Sequence, residues 1–202
     1  HPSTRVACDV DVLIHPESRP AVAVQLAQCG FCEQAASQHS AHECTFSNGD
    51  VDVDLHWDIL RPGRTRRPIV DSILAAGVHG KKFRCPNDAD TVFLMLVHPA
   101  FAKYVCSPHM GLNRVLDFVL FTNNRQVDWK AVERRLADTG MKAAGWCTLR
   151  WFQLVTPSSL AVPVSFIDAI SPGRFRRAYL AFWIKHDLPG RLLGRCDWLI
   201  RG

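Results

Sequence analysis

No apolar run in this sequence approaches the ~20 residues that a helical membrane span requires, which excludes that class of membrane protein. The first residues lack the pattern of a secretory leader. The chain opens on His1 rather than Met, so a processed chain or a fragment is expected, with further sequence upstream. Internal repeats and low-complexity tracts are missing too. A dense basic stripe interleaved with aromatics is also lacking, so a dedicated nucleic-acid binder is not expected. The net charge is only +5. It leans positive near Arg61, Arg64, Arg66 and Arg67, and again near Arg174, Arg176 and Arg177. Such a balance suits anionic small molecules, although the second cluster reads equally well as solvated arginines.

What is present is ordinary globular material. Of the 202 residues, 48% are hydrophobic and 21% charged, enough for one large domain or two small ones with a sizeable core. The eight cysteines are scattered, and a chain of this length needs no disulfide staples. They read as reduced thiols, and the compartment as cytoplasmic. Cys29-x-x-Cys32 with His39, His42 and Cys44 offers a zinc alternative, but the spacing matches no common zinc module.

The informative residues are acidic. Asp9 and Asp11 lie one residue apart in Cys8-Asp9-Val10-Asp11-Val12-Leu13-Ile14. A second acidic segment reads Asp50-Val51-Asp52-Val53-Asp54-Leu55-His56-Trp57. Alternate side chains of a strand share a face. Asp9 and Asp11 therefore point one way, as do Asp50, Asp52, Asp54 and His56, while the valines and leucines point the other. Three carboxylates on neighbouring strands suit two Mg²⁺ ions roughly 3.5–4 Å apart, an arrangement used in phosphoryl and nucleotidyl transfer. Without a cation between them such charges repel. Spacing alone does not choose between Asp52 and Asp54.

Coarse patterning gives the organisation. A strand over Val10–Ile14 leads to a helix over Glu17–Cys29 that Gly30 stops. Residues 31–40 are ambiguous. Glu43–Ser47 and Asp50–Trp57 form a hairpin about Asn48-Gly49, read as a tight type I′ turn. Past the loop 61–68 the pattern is helical: Pro68–Ala76, Asn87–Tyr104, Gly111–Phe121, Asp128–Thr139, Met141–Val155, Phe166–Ile170 and Pro172–His186. Residues 157–163 form a linker. Trp129, Trp146, Trp151 and Trp183 read as core. The expected fold is α+β, a small mixed-sheet head over 1–60 and an all-helical body over 61–202.

These residues carry a family resemblance. Arg5-x-x-x-Asp9-x-Asp11, a helix ending Cys29-Gly30-Phe31, and Val53-Asp54-Leu55-His56-Trp57 follow in that order. His98, Arg114-Val115-Leu116-Asp117 and Val127-Asp128-Trp129 come after them. The chain resembles the uncharacterised nucleotidyltransferase family of the polymerase-beta-type superfamily over roughly residues 5 to 156. The resemblance implies that Asp9 and Asp11 hold two Mg²⁺ (or Mn²⁺) ions and the nucleotide phosphates. It implies that Asp54 completes the metal set beside the acceptor hydroxyl. Arg5 and His56 are the implied substrate contacts, with Asp52, His98 and Asp117 as further candidates. The implied partners are an NTP and a small-molecule, sugar or peptide acceptor. Two departures accompany it. The superfamily's glycine element, which cradles the triphosphate, is absent from the eight residues before Asp9; either upstream sequence carries it or the chain does not bind NTP in the usual way. Cys8 stands where a serine often precedes the first aspartate. The alternative reading is a non-catalytic relative that binds a nucleotide or a protein partner.

Overall fold

In the computed structural model, residues 9–35, 41–80, 83–102, 112–156 and 160–186 are described. The chain divides into two units, His1–Cys85 and Pro86–Gly202. The fold is α+β, with a small sheet near the N-terminus followed by a helical body.

The first unit is built on a four-stranded mixed sheet of β1 (Asp9–Leu13), β2 (Cys32–Glu33), β3 (Glu43–Ser47) and β4 (Asp52–His56). The order is β1-β4-β3-β2, with β1 parallel to β4 and the other pairs antiparallel. A parallel neighbour requires a crossover. Helix α1 (Arg19–Gln28), entered through a 3₁₀ turn at Pro16–Ser18, begins that crossover. It stops before Gly30, whose φ of +86° suits a residue without Cβ.

Register divides the sheet into two faces. Val12, Leu55 and Cys44 are paired across three strands, as are Val10, Val53 and Phe46. Cys44, Phe46 and Leu55 are buried, and Val22, Ala23 and Leu26 of α1 pack against them with Val12, Ile14, Phe31 and Trp57. Arg19 stacks 4.3 Å from the Trp57 ring and reaches Glu33 at 3.4 Å, joining the start of α1 to β2 and the end of β4. One face of the sheet is thus closed by a helix.

The β3–β4 hairpin forms where Asn48-Gly49 announces it, but not as a two-residue turn. Ser47 pairs with Asp52, leaving residues 48–51 as the loop. The Asn48 side chain explains this: its Oδ1 accepts from the backbone N–H of Asp50 at 3.0 Å and of Val51 at 2.9 Å. Asp50 therefore belongs to the turn and not to the strand. The unit continues with α2 (Val70–Ala76), starting two residues later than Pro68, and a short hairpin of β5 (Val78–His79) and β6 (Arg84–Cys85) that patterning did not reveal.

The second unit contains α3 (Asp88–Ala102), α4 (Leu112–Asn124), α5 (Trp129–Thr139), α6 (Lys142–Val155), α7 (Val164–Ile170) and α8 (Arg174–His186). The stop signals act as read: Asp128 accepts from Ala131 N–H at 3.0 Å, and Gly140 ends α5 at φ +76°. Helix α3 packs on α4, α5 and α6, and α6 packs on α7 and α8. The core holds Phe93, Phe118, Leu136, Leu149, Phe152 and Ile170, with the Phe118 and Phe152 rings 5.0 Å apart. Of the tryptophans read as core, only Trp146 is fully buried; Trp129, Trp151 and Trp183 are half-buried. Gly145 lets α6 approach α5, since a Cβ there would lie 3.1 Å from Leu136 Cδ1.

Candidate functional site

The sheet's other face is polar, and register arranges it in rows. Asp9, Asp52 and Ser47 form one row, and Asp11, Asp54 and Thr45 the next. Leu13, His56 and Glu43 form the third. Asp11, Asp54 and His56 converge, with one ligand atom from each within 4.8 Å of the others. Asp9 lies one row away beside Asp52 and is exposed.

Neighbouring side chains hold this cluster. Thr45 donates to Asp54 Oδ1 at 2.6 Å, fixing one carboxylate oxygen. His56 places Nε2 3.0 Å from Asp11 Oδ1 and Nδ1 3.4 Å from Glu43 Oε2. His42 Nε2 lies 3.6 Å from the same Glu43 oxygen. A polar chain therefore runs Asp11–His56–Glu43–His42. Its ends differ in exposure: the His42 side chain is 13% exposed and that of Asp11 71%. Burial opposes the charged imidazole of His56, but the bond to Asp11 and the charges of Asp11, Glu43 and Asp54 prevail, and its pKa is raised. Burial pushes His42 the other way; Glu43 opposes that fall, but His56 and Arg61 add to it, and its pKa is lowered.

The donor set fits a hard divalent cation. Carboxylate oxygens suit Mg²⁺ and Mn²⁺, and an imidazole nitrogen is acceptable to Mn²⁺. Asp11 also stays open to solvent, as an ion held together with a substrate requires.

The zinc alternative finds no support among the described residues. Cys29 and Cys32 are exposed, while Cys44 is buried against α1 in the apolar core. His39 lies outside the described residues, and so does Arg5. His98 and Asp117 belong to the helical unit, where Arg114 Nη1 meets His98 Nδ1 at 3.2 Å. Thr45 and Glu43 are the residues that motif reasoning missed. The alternation Glu43-x-Thr45-x-Ser47 against Cys44 and Phe46 was the available signal.

A family model described as "uncharacterised nucleotidyltransferase" matches residues 1–157. The chain belongs to that family. The match covers the whole polar face and the helices through α6, and it agrees with the resemblance carried by Asp9-x-Asp11 and Asp54-Leu55-His56-Trp57. Nucleotidyl transfer is the general activity that membership supports, with a nucleotide as substrate. Searches of curated proteins and of solved structures found no match. No helix among the described residues is long and apolar enough to cross a membrane.

Proposed function

We propose that this protein is a metal-dependent nucleotidyltransferase that moves a nucleoside monophosphate from an NTP to a hydroxyl of a small molecule, sugar or peptide. The observation that carries the reading is the convergence of Asp11, Asp54 and His56 on an open polar sheet face in a member of a nucleotidyltransferase family. Asp11 and Asp54 hold the ions, and Asp9 joins them from the neighbouring row. When bound, two divalent cations neutralise phosphate charge and ease loss of the acceptor proton. Thr45 keeps the Asp54 oxygen aimed during that event, because a fixed donor leaves the carboxylate little freedom. His56, held by Glu43 and by Asp11, is the proposed contact to substrate phosphate. Arg5 is the proposed second phosphate contact. Asp52, His98 and Asp117 are the further candidates for substrate contact.

The test is transfer from an α-³²P-labelled NTP to pooled hydroxyl-bearing acceptors, with Mn²⁺ or Mg²⁺ and with EDTA. Labelled product and pyrophosphate, both lost with EDTA and in Asp54→Asn, are expected. Metal-dependent nucleotide binding without turnover would instead indicate a binding module. Turnover that persists in Asp11→Asn and Asp54→Asn would overturn the reading.

A further inference from the structure

Helices α6, α7 and α8 line a second, open site. A cavity of about 500 Å³ opens between them, within the range of small-molecule pockets. Trp146, Arg150, Asp168, Ser171, Arg174 and Arg177 line it. Three guanidinium groups face one carboxylate there, an excess of two positive charges. No ion pair joins Arg150, Arg174 or Arg177 to a carboxylate among the described residues. Arg150 is instead positioned by a neutral partner, donating to Gln153 Oε1 at 2.6 Å, with its Cζ 5.9 Å from the Trp146 ring. Trp146 is 3% exposed and belongs to the core behind Arg150. Lys142 Nζ donates to the Ala169 carbonyl at 2.9 Å and ties α6 to α7.

Three arginines beside a single carboxylate give the cavity a positive potential that draws anions. The planar fork of arginine suits phosphate oxygens in particular. We infer that this cavity binds a phosphate-bearing small molecule, with Arg150, Arg174 and Arg177 around the phosphate and Ile167, Ala178 and Ala181 against the organic body. Asp168 then accepts from a hydroxyl or amino group of that body. The volume exceeds what a lone phosphate fills, since the anion's own oxygens occupy only the arginine end. Asp168, Arg174 and Arg177 lie beyond residue 157, where the family match ends, whereas Trp146 and Arg150 lie within it. The inference stands apart from the acidic cluster of the first unit and does not depend on it.

Two chemical sources supply such a ligand, a nucleotide or a phosphorylated non-nucleotide. Calorimetric titration of the full chain in EDTA separates both from metal-dependent binding elsewhere. The probes are AMP, a sugar phosphate and pyrophosphate. Saturable binding of at least one is expected, weakened tenfold or more in the Arg174→Gln/Arg177→Gln double variant. These side chains are exposed, so the variant should keep the wild-type melting temperature. Arg150→Lys keeps the charge and loses the fork, and it should weaken binding several-fold. Arg125→Gln, an exposed charge removed elsewhere, should not, and neither should Asp11→Asn. Tighter binding of AMP identifies a nucleotide occupant; tighter binding of the sugar phosphate or pyrophosphate identifies a non-nucleotide one. Absence of saturable binding for all three probes, or affinity unchanged in the double variant, overturns the inference.

Discussion

The two units of this protein invert each other's design. In the head the sheet rests on few buried side chains, Cys44, Phe46 and Leu55, beneath a helix in which no residue is fully buried, and its other face is mostly charged and hydroxyl side chains. The helical unit buries aromatic and aliphatic side chains on most of its helices. Its buried charge, Asp90, is matched by Arg135 at 2.7 Å and by Asn87 Nδ2 at 3.0 Å. Like charges lie side by side in the head where Asp11 is open to water, whereas a buried charge without a partner costs several kcal/mol. The difference teaches that the chemistry of the head and the stability of the body are separable properties.

Substitutions can sharpen or break that separation. The largest expected effect is on catalysis: Asp54→Asn should lower transfer by ~10³-fold, several kcal/mol of lost charge stabilisation, in an initial-rate assay. Its melting temperature should stay close to wild type, and a large fall would mean that the acidic face is structural. The converse change is Phe118→Ala in the body. It removes a fully buried ring packed at a tilt against Phe152 and should cost about 3–5 kcal/mol in a urea titration. An unchanged midpoint would contradict the assignment of the core. A smaller effect is expected from Thr45→Val, which keeps shape and removes the donor to Asp54. Loss of a group that orients a metal ligand lowers activity or metal affinity by ~10–100-fold, and Thr45→Ser should restore most of it.

The smallest effect is a matter of pH. Burial raises the Cys147 thiol to about 11, with Arg176 opposing. Its labelling by iodoacetamide, followed by peptide mass spectrometry, should lag behind the exposed Cys29, Cys32 and Cys85 at pH 8 and accelerate toward pH 11. A raised folded-state value gives a contribution to stability that is whole below the unfolded pKa of about 8.5 and is lost as pH climbs toward the folded value. Unfolding should therefore become easier over that interval. Equal labelling rates at pH 8 would show that Cys147 is solvated.

Much of this was legible in the chain itself. Period-two alternation placed Asp9 and Asp11 together on one face of their strand and Asp52, Asp54 and His56 together on one face of theirs, and pairing brings the two sets onto the same face of the sheet, with Asp50 lost to the turn. Helix boundaries were legible where a side chain fixes them, as Asp128 and Gly140 do for α5. Register was not legible, because it is set by contacts between strands remote in sequence. It decides that Asp11 rather than Asp9 stands opposite Asp54, and that Thr45 and Glu43 flank the cluster. The tight turn failed because the Asn48 side chain competes with the backbone for the loop's N–H groups. The two-residue strands β2, β5 and β6 are too short to show a period. The arginine cavity was invisible for the same reason as register: Arg150 and Arg177 meet only through packing of α6 on α8.

The most direct test of the acidic face is calorimetric titration of each NTP into the protein with Mg²⁺ or Mn²⁺, beside Asp11→Asn and the same titration in EDTA. The account predicts a metal-dependent increment in NTP binding that vanishes in Asp11→Asn. An increment of the same size in the variant, or affinities indifferent to the metal, would contradict the assignment of this face as the site of nucleotidyl transfer.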